Sequence, residues 1–356
     1  MKKNIVLLVL LAMLLPVMTA CKGFTDGEFL SVETYVDHGP DVEVSVVEVR
    51  NAVQMCNAVI NLVESGAQSG ILSVSSFVGG SVHFYMDQAI RQAMETNPMC
   101  AYAVETITYE IGTRAGKEAV ALNIQYRCEL SHILQMERVT DMADAVSAVQ
   151  AALLKHENAV VLRVSVFEEM DLVDILRDYA VSNIDRIMEL PAIEMSTYPK
   201  MGEERIIEVF FTYQAKPDEL NRMQWVVEPV FTEAKNSVSG LSQRSEKYEQ
   251  LYRFLTNRME YTLDSTAHPV YSLLIDGVGD SEAFARVYAV MCRDAEIFCD
   301  VVAGKHEGQQ YYWNVVELDG TYYYLDILRC MELGVYELLP ESQMGGYTWD
   351  RSPYIS

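Results

Sequence analysis

Tyr311-Tyr312-Trp313-Asn314-Val315-Val316-Glu317-Leu318-Asp319-Gly320, followed by Thr321-Tyr322-Tyr323-Tyr324-Leu325-Asp326, is the stretch that decides the architecture of the last third of the chain. Aromatic and β-branched residues crowd it, and Asp319-Gly320 is a two-residue hairpin signal. It reads as two paired strands, 311–318 and 321–325, with a third strand before them at 298–303. Upstream, Phe284, Val287, Tyr288, Met291 and Ala295 recur at helical spacing from a start at Ser281. A glycine loop, Asp276-Gly277-Val278-Gly279-Asp280, leads into that helix. Before the loop, Tyr248, Leu251, Tyr252, Leu255 and Met259 make a further amphipathic helix.

This order resembles the transglutaminase-like domain, a papain-like fold in which a helix precedes an antiparallel sheet. Val278-Gly279-Asp280-Ser281-Glu282-Ala283-Phe284-Ala285 is similar to the family's x-G-V-C-x-G-Y-A. The 311–320 stretch is similar to H-A-W-N-x-V-x-L-D-G, and Tyr322-Tyr323-Tyr324-Leu325-Asp326 to W-Y-x-V-D. The tail from Met344 to Tyr354, with Trp349-Asp350, looks like the ending of lipoproteins of this type. The resemblance covers roughly 246–356, under a third of the chain.

The resemblance implies a cysteine at the helix N-terminus, its thiolate favoured by the helix dipole. It implies a histidine on the adjacent strand and an aspartate on the next strand to orient it. In this chain the nucleophile position is Ser281, the base position is Tyr311, and only Asp326 matches. A serine without a neighbouring base is a poor nucleophile, and a phenol of pKa near roughly 10 is a poor base at neutral pH. The three positions therefore read as a vestigial triad, with Ser281 a first-turn residue beside Asp280. Trp313, Asn314 and Tyr312 are the candidate binding residues of the old cleft, and at least half of the neighbouring tyrosines should be core. His306, five residues before Tyr311, is the residue that could substitute as base. Cys292 and Cys299 read as small buried hydrophobes. Asp276, Asp280 and Glu282 do not follow calcium-loop spacing. No metal and no cofactor is expected.

An internal repeat precedes this domain. Ile71-Leu72-Ser73-Val74-Ser75-Ser76-Phe77 matches Val161-Leu162-Arg163-Val164-Ser165-Val166-Phe167 in pattern. Each is followed by a helix (85–94; 172–187) and a hairpin (107–111 with 119–126, turning at 112–116; 193–198 with 206–213). A helix precedes each, over 47–64 and 142–154. His83, His132 and His156 are isolated, and Glu168, Glu169 and Asp171 read as a solvated helix start. Residues 230–243, with Ser, Asn and Gly, read as the last boundary.

At the other end, Met1-Lys2-Lys3-Asn4 precedes an apolar run over 5–18, too short to span a bilayer comfortably. Met18-Thr19-Ala20-Cys21 resembles a bacterial lipobox, which implies acylation of Cys21; a plain secretory signal is the other reading. The expected location is extracytoplasmic, anchored to the cell membrane through an N-terminal lipid.

The expected fold class is α+β: duplicated helix-strand-helix-hairpin units, then a papain-like transglutaminase-like domain. The boundaries are a signal peptide (1–20), a tether (21–40), unit 1 (41–137), unit 2 (138–230) and the transglutaminase-like domain (231–356). Lys+Arg is 27 against Asp+Glu 51, a net charge of −24. That balance excludes a broad nucleic-acid surface and a polybasic grip on lipid. Seven cysteines without a C-x-x-C pair exclude a disulfide scaffold and a zinc ribbon. Two readings stay open. The favoured one is a pseudoenzyme acting as a binding or structural module, with a cell-wall peptide, glycan or protein as ligand. The alternative is an amide hydrolase or acyl-transferase using Ser281.

Overall fold

The computed structural model describes residues 46–354. The signal segment, the tether and Cys21 with its expected acylation lie outside the described residues.

The first unit runs β1 (Val46–Glu48), α1 (Ala52–Glu64), β2 (Ser69–Ser73), α2 (Val82–Thr96), α3 (Pro98–Ala103), β3 (Val104–Arg114) and β4 (Lys117–Tyr126). Asn51 caps α1 by accepting the Gln54 N–H. Asn97 ends α2 and caps α3, where Pro98 occupies a first-turn position that needs no N–H. The sheet order is β1-β2-β4-β3, with β1 parallel to β2 and the other pairs antiparallel.

After α4 (Leu130–Leu134), the second unit runs β5 (Glu137–Asp141), α5 (Met142–Leu154), β6 (Ala159–Val166), α6 (Leu172–Ser182), β7 (Ala192–Tyr198) and β8 (Arg205–Thr212). Its order is β5-β6-β8-β7, with the same parallel and antiparallel senses. In both units one face of the sheet packs on helices: Met55, Val59, Met86 and Leu72 in the first, Val149, Leu153, Leu162 and Leu176 in the second.

Several expected elements change. Each unit opens with an edge strand that the sequence pattern did not reveal. The helix expected over 47–64 starts at Ala52, because Val46 and Val47 pair with Ile71 and Leu72. Strands of three and five residues are too short for a period to register. The helix expected over 172–187 ends at Ser182. The turn expected at 112–116 is only Ala115-Gly116, both at positive φ, as a tight hairpin turn requires.

The boundary expected between 230 and 231 falls inside α7 (Pro217–Val238). Leu220, Val227, Phe231, Ala234 and Val238 form one buried stripe along it. That stripe packs with Tyr248, Leu251 and Leu255 of α8 (Arg244–Thr256), so burial carries the helix through a segment whose polar residues resemble a linker.

The C-terminal part continues with β9 (Thr262–Leu263), α9 (Pro269–Tyr271) and a π-helical turn (Ser272–Asp276). Gly277 closes that turn at φ 72°, where a Cβ would lie 2.8 Å from the Glu260 carbonyl oxygen. Then come β10 (Val278–Gly279), α10 (Ser281–Asp294), β11 (Cys299–His306), β12 (Gln309–Leu318), β13 (Thr321–Leu325), α11 (Ile327–Leu333) and β14 (Tyr347–Thr348). The sheet is β13-β12-β11-β14, antiparallel throughout. Phe284, Val287, Tyr288 and Met291 of α10 are buried on one face, among α7 and α8. On the other face Val302, Trp313, Val315, Tyr324 and Tyr347 form a separate cluster.

The two units are joined by Arg163 of β6, which is 7% exposed. Its guanidinium bonds both Glu64 oxygens, at 2.7 and 2.9 Å, and Glu204 at 2.6 Å. Burial opposes that charge, and the carboxylates on two sides offset the cost.

Candidate functional site

The helix α10 begins where Asp280 accepts the Ala283 N–H at 3.0 Å. The capping residue is thus Asp280, and Ser281 is the first helical residue. The Ser281 hydroxyl oxygen accepts the backbone N–H of Tyr312 at 3.3 Å. This contact lays the start of α10 against β12, one residue from Tyr311. Ser281 is thereby brought beside the strand that carries Tyr311.

Asp326 sits at the end of β13 and is 2% exposed. Its Oδ1 accepts the Tyr311 hydroxyl at 3.0 Å and the Arg329 backbone N–H at 3.0 Å. Its Oδ2 accepts the Tyr347 hydroxyl at 2.7 Å. The carboxylate is thus held by two phenols and a helix-start amide. Burial pushes the Tyr311 hydroxyl well above its ordinary pKa, and the neighbouring Asp326 charge pushes it further. Burial and the Asp326 bond do the same to Tyr347. Tyr311 therefore keeps its proton at any physiological pH, donates it to Asp326, and has no capacity to accept one from Ser281.

Tyr347 is the site residue that sequence reasoning missed. Its only signal was membership in the aromatic tail. His306 does come to the edge of this cluster. Its ring stacks on Tyr347 with centroids 4.1 Å apart and planes 7° apart, and lies 5.3 Å from the Tyr311 ring. The hydrogen-bond partner of Ser281 is the Tyr312 backbone, not this imidazole.

Of the three candidate binding residues, two are sealed inside. Trp313 is 1% exposed and Asn314 is 0% exposed. The Asn314 amide donates to the Ala285 carbonyl at 2.8 Å, tying β12 to α10. Trp313 packs so closely that a Cβ on Gly304 would lie 2.5 Å from its ring, so glycine is required there. Their chemistry is structural because water and ligands do not reach them. Tyr312 points to the α10 side and lines a cavity of about 410 Å³. Among the five tyrosines of the two strands, Tyr324 is fully buried and the other four are half-buried.

A second cavity, of about 250 Å³, lies beside Asp280 between the start of α10 and residues 184–190 of the second unit. Cys292 is buried and Cys299 half-buried, and burial raises the Cys299 thiol well above its ordinary pKa, away from nucleophilic character. Among the described residues no group of three or more His, Cys, Asp or Glu side chains is arranged to hold a metal ion.

Residues 232–327 match the Transglutaminase-like superfamily. The chain contains a transglutaminase-like domain. The match starts within α7 and ends just past Asp326, so it takes in Ser281, Tyr311 and Asp326. The domain is thus a mixed helix–strand unit that follows two four-stranded α+β units. No curated protein matches the chain significantly. Three solved structures are similar at low identity. One is described as a candidate cysteine protease from Cytophaga hutchinsonii: 12% identity, TM-score 0.27, covering 44% of this chain and 70% of that one. A second is described as a TGase: 11% identity, TM-score 0.26, covering 56% of this chain and 55% of that one. A third is described as a candidate protease from Parabacteroides distasonis: 11% identity, TM-score 0.24, covering 62% of this chain and 36% of that one.

Proposed function

We propose that this chain is a membrane-anchored extracytoplasmic lipoprotein whose transglutaminase-like domain is a pseudoenzyme, acting as a binding or structural module at the cell surface. One observation carries the catalytic half of this reading: the buried Asp326 is bonded by the Tyr311 and Tyr347 hydroxyls, where an active member would have it orient an imidazole. Removing triad members from working enzymes costs several powers of ten in rate. Here the nucleophile is a hydroxyl and the base position is a phenol that holds its proton. The lipobox-like Met18-Thr19-Ala20-Cys21 supports the anchoring half. The shared strand order of the two α+β units supports their descent from one duplicated unit.

The second reading, an amide hydrolase or acyl-transferase using Ser281, is favoured by one contact, the His306 ring beside Tyr311. Amine incorporation and peptide hydrolysis by the purified protein, beside Ser281→Ala, separate the two. The expected result is no turnover in either protein. Turnover that vanishes in the variant overturns the pseudoenzyme. A companion variant, Ser281→Cys with Tyr311→His, tests whether the old geometry still supports thiolate chemistry.

A further inference from the structure

We propose that the outer edge of β11 is a docking edge for an extended, carboxylate-bearing peptide, which pairs with the Ala303 N–H and carbonyl and the Val301 carbonyl and sets its acid against Arg286. The first observation is an incomplete edge. On one side β11 pairs with β12 along its whole length. On the other, β14 meets it only at Lys305 and His306. The Glu307 N–H donates to the Gly346 carbonyl, so the odd-numbered residues turn their backbone groups toward β14. Period-two alternation carries the same orientation back to Ala303 and Val301. Among the described residues no strand takes that edge over 299–304. The Val301 N–H is held by its own neighbour, the Asp300 carboxylate, at 2.8 Å. Ala303 is exposed. An unpaired edge of this kind is a template for strand addition.

The second observation is the cavity of about 410 Å³ along this edge, between β11, α10 and the end of α6. Arg286, Arg293 and Asp300 are its charged lining residues. Arg293 is committed to Asp185, Asp294 and the Ser182 carbonyl. Asp300 is committed to the Val301 N–H and the Tyr354 hydroxyl. Arg286 bonds a single oxygen of Glu282, through Nε at 2.8 Å and Nη2 at 2.6 Å. Its Nη1 enters neither bond. The guanidinium lies 5.7 Å over the Tyr312 ring, which fixes its place at the cavity wall. Among these charged lining residues, the donor left uncommitted is therefore the cationic Arg286 Nη1, in a chain of net charge −24. A carboxylate reaching Nη1 makes a charge-assisted bond, whereas an ammonium meets a like charge. The occupant that satisfies both observations is a short strand with an acidic side chain on its α10-facing side. This inference does not depend on whether Ser281 is inert.

The test uses the purified protein and a positional-scanning library of acetylated, amidated pentapeptides, read by fluorescence anisotropy. The expected outcome is selection of Asp or Glu at one position. For the selected peptide, N-methylation of a backbone amide and Arg286→Gln should each weaken binding about tenfold or more. Amide NMR shifts on the wild-type protein should centre on Val301 and Ala303. Ala303→Pro, which removes an edge-facing donor, should also abolish binding. Selection of Lys or Arg, absence of any binder, insensitivity to N-methylation, or shifts centred on Ser281 would each overturn the proposal.

Discussion

The C-terminal sheet carries a polar centre on each face, and the two are furnished differently. On the tail-covered face, Asp326 is 2% exposed and accepts three hydrogen bonds. On the α10 face, Arg286 is bonded to one carboxylate oxygen and opens onto a cavity. A buried carboxylate that already accepts three hydrogen bonds from its own protein has little acceptor capacity left for another group. A guanidinium with an unused N–H has donor capacity left. The carboxylate of Asp326 is occupied by its own protein, whereas the Arg286 guanidinium beside the cavity keeps an N–H free for a ligand.

The largest effect is expected at the closed centre. Asp326→Ala removes the cap of α11 and leaves the Tyr311 and Tyr347 hydroxyls buried without their acceptor. Each such loss costs about 1–3 kcal/mol, so roughly 4 kcal/mol in total is expected in urea unfolding. A loss under about 1 kcal/mol would show that the centre is not closed.

A smaller effect should come from His156, which lies in neither centre and serves as a reference for a satisfied polar group. It is fully buried; its Nδ1 is 2.8 Å from Asn221 Oδ1 and its Nε2 accepts the Met188 N–H at 3.3 Å. That arrangement requires the neutral ring. Burial lowers its pKa more than Asn221 and the Glu189 charge raise it. The unfolded chain therefore binds the proton first as the pH falls. The contribution of His156 is fully present above the ordinary histidine value of roughly 6.5 and is lost as pH drops through it toward the folded value. Unfolding measured between neutral pH and about pH 5 should show this loss, and His156→Gln should flatten the slope. An unchanged slope in the variant would assign the pH dependence elsewhere.

The smallest effect should be at the open centre. Arg286→Gln breaks a partly exposed i,i+4 pair with Glu282, worth about 0.5 kcal/mol. Stability should barely move while peptide binding falls. A loss of several kcal/mol would place Arg286 among the structural residues and erase the contrast.

Much of the architecture was legible because it rests on local periodicity. The apolar positions Phe284, Val287, Tyr288 and Met291 are the buried face of α10. Asp319 and Gly320 take the positive φ angles that a two-residue turn demands. The edge strands β1 and β5 were not legible, because three and five residues carry no usable pattern. The path of α7 through residue 230 was missed for a different reason. Its stripe has a partner only when α8 and α10 are folded beside it.

The sequence by itself determined which residues stand where the transglutaminase-like resemblance implies a triad, since side-chain identity at a motif position needs no coordinates. Ser281, Tyr311 and Asp326 could be named from the resemblance to the transglutaminase-like motifs. The tertiary structure alone decided what they do. Tyr347 arrives at Asp326 from 21 residues further along the chain. Trp313 and Asn314 vanish into the interior. Among the described residues, the edge of β11 is without a partner strand over 299–304 because β14 stops after two residues. Hydrogen bonding, burial and strand pairing are properties of neighbours in space, and no pattern along the chain encodes which neighbours those will be.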